Sequence, residues 1–300
     1  MIYTLTFNPA IDYMVELDVL TPGAVNRSLG ERCYFGGKGI NVSNVLKELG
    51  VPSVALGFIA GFTGEGLQAG LRAQGLETRF LRVEQGLTRI NTKVKADVET
   101  EINGMGPTIT GADMEKLFAQ LEELREGDTL ILSGSIPACL PPDTYEIILA
   151  RFQGRGIRFV VDATGPLLLK CLGYRPFLIK PNDRELEEIF GTYPTADEEI
   201  AARARELQAM GARNVLVSLG EKGALLLSEG GMIYRVNCPR GRLIGSVGAG
   251  DSMVAGFLAG YLQTGDYAYA LRLGTACGSA TAFSPGLAKR ETIEALLTQI

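Results

Sequence analysis

The stretch Gly245-Ser246-Val247-Gly248-Ala249-Gly250-Asp251-Ser252-Met253 is a glycine-rich turn that runs directly into an apolar helical pattern. A helix start offers unpaired backbone N–H groups and a positive dipole end, and glycine lets an anion approach them closely. Asp251 lies in this first turn, where a carboxylate suits a base that takes a proton while negative charge develops nearby. The junction therefore predicts phosphoryl transfer to a hydroxyl. A first-turn aspartate that only stabilises the helix has the same pattern.

Outward from this junction, strand-like and helix-like stretches alternate along most of the chain. Apolar runs rich in β-branched residues predict strands at 54–59, 129–132, 158–161, 177–179 and 215–218. Helical periodicity predicts helices at 40–49, 64–74, 113–123, 143–152, 183–190, 197–210, 251–262 and 267–283. This alternation is typical of a mostly parallel sheet with helices on both faces, so the predicted class is α/β.

Two stretches interrupt the alternation, at about 12–35 and 88–103. Both have the polar alternation of strands, and neither contains a helical pattern. They predict a small antiparallel sheet that projects from the main domain. Such a sheet would form a lid over a site at the carboxyl edge of the parallel strands, and an ordinary edge meander is the alternative.

Composition bounds the class of protein. The 300 residues are 46% hydrophobic, which suits one domain spanning 1–300. The net charge is -5 and no basic block is present, so no nucleic-acid partner is expected. No apolar stretch reaches the roughly 20 residues that span a bilayer, so no membrane partner is expected. The five scattered cysteines and the absence of a signal-peptide pattern indicate a reduced, cytoplasmic protein.

The chain contains no histidine. This excludes histidine-based catalytic triads and zinc sites built on imidazole. Acid–base chemistry near neutral pH must then use carboxylates, lysine, tyrosine or cysteine. A carboxylate base combined with electrostatic stabilisation fits phosphoryl transfer.

A second glycine turn, Gly36-Gly37-Lys38-Gly39-Ile40-Asn41, also precedes a helix. It is not a Walker A loop, and it lacks the third glycine of a dinucleotide fingerprint because position 42 is valine. The turn at Gly248 lacks that third glycine too, which disfavours a nicotinamide dehydrogenase. Lys38 and Asn41 suit a polar, anionic small molecule, and a plain tight turn is the alternative.

Polar residues at strand ends give further candidates. Asp12, after the first strand, could accept hydrogen bonds from vicinal sugar hydroxyls, or could simply be a turn residue. Arg89, Asn91 and Lys93 share one strand face, which suits a phosphate or merely solvent. The run 180–185 predicts a helix start that Asn182 and Glu185 cap, or alternatively a site for hydrated Mg²⁺.

In chain order, six motifs resemble those of one family: Asn8–Asp12, Gly36–Asn41, Ser133–Pro137, Lys180–Glu185, Ser218–Gly223 and Val247–Asp251. The series is similar to that of the ribokinase-like sugar kinases, in the phosphofructokinase B group, and it covers essentially the whole chain. The resemblance implies a three-layer α/β/α ribokinase-like domain with a β-lid that often forms dimer contacts. It also implies ATP and Mg²⁺, with a monovalent cation near 279–288 left open.

The resemblance assigns roles to individual residues. Asp251 would be the catalytic base, with the N–H groups of Gly248, Ala249 and Gly250 as the anion hole. Asp12, Gly37 and Asn41 would hold sugar hydroxyls, and Glu185 and Asn182 would organise Mg²⁺ through water. The residues implied for the ATP site are Lys180, Asn182, Ser218, Leu219, Gly220, Glu221, Lys222, Gly223, Gly250 and Asp251.

Within the group, Thr88-Arg89-Ile90-Asn91-Thr92-Lys93 is most similar to 1-phosphofructokinases. A phosphate on the substrate is therefore expected, with Lys38, Arg89, Arg27 and Ser135 as ligands. The expected reaction is ATP-dependent phosphorylation of fructose 1-phosphate at O6 to fructose 1,6-bisphosphate. Tagatose-6-phosphate kinase and minor 6-phosphofructokinase activities are the alternatives. A catalytically silent sensor of nucleotide or sugar phosphate is the alternative of a different class, although a sensor needs no base.

Overall fold

The computed structural model describes residues 1–300. Its strands are β1 (Ile2–Thr6), β2 (Ala10–Glu16), β3 (Gly30–Gly36), β4 (Ser53–Ile59), β5 (Glu77–Thr78), β6 (Leu81–Arg82), β7 (Arg89–Lys95), β8 (Thr100–Asn103), β9 (Thr129–Ser133), β10 (Arg158–Asp162), β11 (Leu178–Ile179), β12 (Asn214–Ser218), β13 (Ala224–Leu227) and β14 (Ile233–Val236). Its α-helices are α1 (Lys38–Glu48), α2 (Gly61–Ala73), α3 (Gly111–Leu121), α4 (Thr144–Phe152), α5 (Gly165–Leu172), α6 (Asp183–Phe190), α7 (Asp197–Ala209), α8 (Ala249–Thr264), α9 (Tyr267–Ala282) and α10 (Arg290–Leu297).

The main sheet has the order β14-β13-β12-β11-β10-β9-β1-β4-β5, with β6 also paired to β4. All pairings from β12 through to β4 and β5 are parallel, as the alternating pattern predicts. The edge strands β13 and β14 are antiparallel and were not predicted. A short turn joins β12 to β13, and such a turn can only close a hairpin, because a parallel crossover needs a dozen or more residues.

Helices cover both faces of this sheet, which confirms the three-layer prediction. Along β9, Leu130 and Leu132 enter the larger apolar core, while Ile131 enters the core on the opposite face. Side chains from α3 to α7 fill the larger core, and those of α1, α8, α9 and α10 fill the other. The sheet therefore lies between two packed layers of helices, and its parallel strands end at one common edge.

The eight predicted helices are present, with ends that shift by a few residues. Two helices, α5 and α10, were missed. Each has only eight residues, and α5 begins with a proline in its first turn, so neither shows a long periodic pattern. None of the α-helices combines the length and the apolar character that a membrane span requires.

The second sheet has four strands in the order β3-β2-β7-β8. The outer pairings, β2 with β3 and β7 with β8, are antiparallel as predicted. The central pairing of β2 with β7 is parallel, because both strands leave the main domain in the same direction, at Ala10 and Arg89. Phe35 of β3 packs directly against Gly70 of α2, where any larger side chain would collide with the ring. This contact ties the base of the lid to the main domain.

Candidate active site

The glycine junction positions the first turn of α8. Gly248 precedes the helix with a φ of 81°, a left-handed conformation that favours glycine over residues with a Cβ. The Ala249 N–H donates to the Ser246 carbonyl at 3.2 Å, so this group is already engaged. The N–H groups of Gly248 and Gly250 have no such internal bond. The structure thus leaves two of the three predicted anion-hole donors free.

Asp251 lies in this first turn and is only 5% exposed. Asn41 of α1 donates from Nδ2 to its Oδ2 at 2.8 Å, which fixes the orientation of the carboxyl group. Burial, followed by repulsion from Asp162, raises the pKa of Asp251 to about 6. A buried carboxylate with a pKa close to the working pH is suited to accept a proton.

Asp162, at the end of β10, is the site residue that sequence reasoning missed. Its Oδ1 lies 3.3 Å from Lys180 Nζ and its Oδ2 lies 3.4 Å from Lys38 Nζ. Burial opposes ionisation, but the two ammonium groups outweigh it and hold the pKa of Asp162 below its usual range. The available signal was an aspartate directly after a buried apolar strand, at the edge where sites of this fold class form.

The two lysines differ in their surroundings. Lys180 is buried, and a methyl group added at Gly250 would lie 2.9 Å from its Nζ. The Lys180 charge is therefore next to the free N–H groups of α8. Burial alone would lower the pKa of Lys38, but attraction to Asp162 and Asp251 outweighs it and raises that pKa. Both amino groups therefore lie within 3.4 Å of the Asp162 carboxylate.

A cavity of about 750 Å³ opens beside Lys38. Ser135 lines it together with the loops that follow β9 and β10. The side chain of Ser135 is exposed, so its hydroxyl is available to a ligand. Lys38 and Ser135 therefore line the same cavity, as their predicted role as ligands of one phosphate requires.

At the base of the lid, Asp12 lies against the Gly36-Gly37 turn. A methyl group added at Gly36 would lie 2.8 Å from Asp12 Oδ2, and one at Gly37 would lie 2.7 Å from Thr6. Arg89 is half-buried and donates from Nε to the Asn8 carbonyl at 3.1 Å. Burial lowers the pKa of Arg89 and the charge of Asp12 partly offsets this, so the two groups lie near each other.

Asn182 and Glu185 form the predicted capping box at the start of α6. Asn182 Oδ1 accepts from the Glu185 N–H at 2.8 Å, and Glu185 Oε2 accepts from the Asn182 N–H at 2.9 Å. Glu185 also contributes to the raised pKa of Lys38, so it faces the same site. No group of three or more acidic, cysteine or histidine side chains could hold a metal directly. This arrangement fits Mg²⁺, which keeps most of its waters and binds through one or two carboxylates plus phosphate oxygens.

The loop 218–223 lies beside this capping box, because Ser218 donates its N–H to the Pro181 carbonyl at 3.1 Å. Gly220, Glu221 and Lys222 form an exposed single turn, as expected for the rim of a nucleotide site. Leu219 differs from the prediction, since its side chain is buried in the larger core and only its backbone faces the rim. Gly223 has a φ of 92° and packs against the Val236 carbonyl, so it shapes the turn.

Arg27 lies in the loop at the far end of the lid, not at its base. It is exposed in the segment 17–29, which joins β2 to β3 at the Glu16–Gly30 end. Asp12 pairs with Tyr34 and lies four residues from Glu16 along β2. This places Asp12 roughly 13 Å from that end of the strand. Lys93 lies 3.5 Å from Glu101, so this cation is already paired on the lid. The expected role of Arg27 as a phosphate ligand therefore stays a prediction.

Comparison with known proteins identifies the family. Residues 5–293 match the pfkB family of carbohydrate kinases, and the chain belongs to this family. It is 48% identical to a 1-phosphofructokinase from Bacillus subtilis, over 100% of this chain and 98% of the relative. It is 37% identical to a D-tagatose-1-phosphate kinase from Bacillus licheniformis, over 100% of this chain and 98% of the relative.

A solved structure supports the same assignment. The phosphofructokinase-2 from Escherichia coli, in complex with substrates and products, superposes with a TM-score of 0.92. The sequence identity is 27%, and the match covers 99% of this chain and 98% of the other. The predicted family is thereby confirmed over nearly the full length of the chain.

Proposed function

We propose that this protein transfers the γ-phosphoryl group of ATP to O6 of fructose 1-phosphate, giving fructose 1,6-bisphosphate and ADP. The observation that carries this proposal is the buried Asp251, with a pKa of about 6, at the helix start that Lys180 flanks. The named relatives support the sugar phosphate, since the first is a 1-phosphofructokinase. The tagatose-1-phosphate kinase relative favours tagatose 1-phosphate as the second candidate substrate.

The proposed mechanism follows from the positions of the charges. Asp251 accepts the O6 proton as the hydroxyl attacks phosphorus, and Asn41 keeps the receiving carboxylate in place. The N–H groups at the start of α8 and the Lys180 ammonium stabilise the charge on the transferring group. The lid covers the sugar phosphate and limits hydrolysis of ATP by water.

Glu185 and Asn182 would hold Mg²⁺ through water, and ATP would lie along the loop 218–223. When bound, the ion neutralises charge on the nucleotide phosphates. Glu185 Oε2 serves the capping box, which fixes the orientation of the whole carboxyl group. A monovalent cation near 279–288 remains part of this proposal. We also propose a cytoplasmic location and a single domain over residues 1–300.

The test compares kcat/KM for ADP release from ATP and Mg²⁺ with a panel of acceptors. The panel contains fructose 1-phosphate, tagatose 1-phosphate, fructose 6-phosphate, tagatose 6-phosphate and free fructose. Preference for fructose 1-phosphate is the expected result. Preference for a 6-phosphate would retain Asp251 but overturn the substrate, and no turnover with any acceptor would favour a sensor.

The pH profile gives the first prediction. Because Asp251 acts only when ionised, kcat/KM for the sugar phosphate, which reports the free enzyme, should fall as pH drops through about 6, the pKa that burial and the charge of Asp162 produce. Activity should stay level from there to mildly alkaline pH, since the raised pKa of Lys38 keeps that cation charged. Initial rates at saturating ATP and at sugar phosphate concentrations well below KM, from pH 5 to 9, measure this limb.

The substrate phosphate also titrates near pH 6, so a control must separate the two groups. Asn41→Ala removes the hydrogen bond that lowers the pKa of Asp251. The acid limb should then move to higher pH, although the substrate is unchanged. A limb at the same pH in both proteins would assign it to the substrate instead.

The second prediction concerns Arg89. Its guanidinium uses one N–H on the Asn8 carbonyl and keeps the others for a phosphate. Arg89→Ala should raise KM for the sugar phosphate by roughly 10- to 100-fold, with KM for ATP unchanged, because a charge-assisted contact is lost. Steady-state kinetics with each substrate varied in turn measures both constants. Arg82→Ala, on an exposed cation paired with Glu65, is the control that should change neither.

We also propose a homodimer formed through the lid. One face of the lid, opposite Asp12, carries the apolar side chains Tyr13, Val15, Ile90 and Ile102, whereas Ile11 at its base packs against the main domain. Ile90 and Ile102 are exposed, and exposed apolar patches of this kind mark interaction surfaces. Analytical ultracentrifugation should give a dimer for the wild type and a monomer for Ile102→Glu. A monomeric wild type at micromolar concentration would contradict this proposal.

A further inference from the structure

Asn91 of β7 has a contact that its strand position alone does not reveal. It pairs in register with Asp12 on the neighbouring parallel strand, so both side chains project from the same face of the lid. Asn91 Nδ2 lies 2.9 Å from Asp12 Oδ1. An ionised carboxylate only accepts hydrogen bonds, so the amide must present its NH₂ group to Asp12. The orientation of the amide is therefore set by chemistry.

The consequence is a free acceptor. Asn91 is 7% exposed, and its Oδ1 has no hydrogen-bond partner in the protein. A buried amide oxygen without a donor is unfavourable, and such groups normally find a partner. The side chain therefore cannot serve mainly as a phosphate ligand, because its unpaired atom is a hydrogen-bond acceptor, which repels anions. It requires a ligand that donates a hydrogen bond.

The neighbouring groups narrow the chemistry of that ligand. Asn91 holds Asp12 Oδ1, which leaves Oδ2, on the side of Gly36, as the second acceptor. Two acceptors side by side match two neighbouring hydroxyl donors of a polyol. Arg89 lies two residues before Asn91 on the same strand face and supplies the positive charge for a phosphate. A sugar carrying a phosphate and a vicinal diol satisfies all three groups at once.

We infer that Asn91 is a specificity-determining residue that accepts a hydrogen bond from one secondary hydroxyl of the sugar phosphate, while Asp12 accepts from the adjacent hydroxyl. This inference rests on the proposed function, which supplies the ketose phosphate. It assigns Asn91 to hydroxyl recognition and leaves the phosphate to Arg89, Lys38 and Ser135. Asn91 also orients Asp12, so the two residues recognise the two neighbouring hydroxyls together.

The test measures kcat/KM with fructose 1-phosphate and with its 3-deoxy and 4-deoxy analogues. For the wild type, kcat/KM should be roughly tenfold or more lower with each analogue than with fructose 1-phosphate, because each analogue leaves one buried acceptor unpaired. In Asn91→Ala the loss should disappear for one analogue and persist for the other. A variant that still discriminates against both analogues would overturn the inference.

Controls keep the result interpretable. Thr92→Val alters the next residue of β7, on the opposite face, and should leave every ratio unchanged. If Asn91→Ala does not fold, Asn91→Ser tests the same loss with a smaller change. The wild type alone is also decisive, since equal turnover of both analogues and the parent means that Asn91 contacts only water. A wild type inactive with every ketose 1-phosphate would instead defeat the proposed function, and the inference with it.

Discussion

Asp251→Asn should lower kcat by about 10²- to 10⁴-fold, the contribution of a positioned general base. The amide has the size of the carboxylate and can still accept from Asn41 Nδ2, which now lies 2.8 Å from Oδ2. Binding of both substrates should therefore change little. Single-turnover and steady-state rates, with KM for each substrate, separate loss of chemistry from loss of binding.

The same variant should be at least as stable as the wild type. Burial raises the pKa of Asp251 in the folded state above its ordinary value of 3.8, so the ionised form disfavours folding at pH 7 to 8. That cost grows as pH rises through about 6, and the neutral amide removes it. Thermal unfolding at pH 7.5 should give an equal or higher Tm. Glu294→Gln, on an exposed carboxylate of α10, is the matched control for kcat and Tm. A kcat within tenfold of the wild type would remove Asp251 from the mechanism.

Local sequence patterns predicted those parts of the site that depend on local chain geometry. The glycine junction, the start of α8 and the capping box at Asn182 each involve contacts within a few residues, so spacing alone indicates them. The parallel sheet followed from periodicity for the same reason. Asp251 also lies at the carboxyl edge, because β14, which precedes α8, runs in the same direction as the parallel strands and ends at that edge.

Contacts between segments that are distant in the sequence could not be predicted from local patterns. Asp162 meets Lys38 across 124 residues, and Asp251 meets Asn41 across 210. An aspartate after a strand is also an ordinary turn residue, so only the assembled fold distinguishes the two roles. The parallel pairing of β2 with β7 escaped prediction for a similar reason, since period-two alternation does not depend on strand direction.

Asp162→Asn should impair both stability and catalysis, because two cations lose the carboxylate between them. Lys180 is nearly fully buried and cannot recover its solvation, whereas Lys38 is 42% exposed along its side chain and can. Removing one member of a buried pair typically costs about 3–5 kcal/mol, so the unfolding free energy should fall by roughly 3 kcal/mol. Urea unfolding at pH 7.5 measures this loss.

The catalytic loss has its own cause. Without Asp162, Lys180 is no longer held against the start of α8. Its positive charge then no longer stabilises the transferring phosphoryl group. We expect kcat to fall by about 10²- to 10³-fold, as for the loss of one preorganised donor. The acid limb of the pH profile should also move to lower pH, because repulsion from Asp162 contributes to the raised pKa of Asp251.

Two further proteins separate these effects. Asp113→Asn changes another buried aspartate, paired with Lys116 at 3.0 Å on α3, and should lose stability with no change in kcat or in the acid limb. The double variant Asp162→Asn with Lys180→Met removes the unpaired charge, so it should recover stability without recovering activity. If the double variant instead regained wild-type kcat, neither residue would contribute to the transition state. Recovery of stability alone would show that the buried pair is retained because it holds Lys180 at the phosphoryl group.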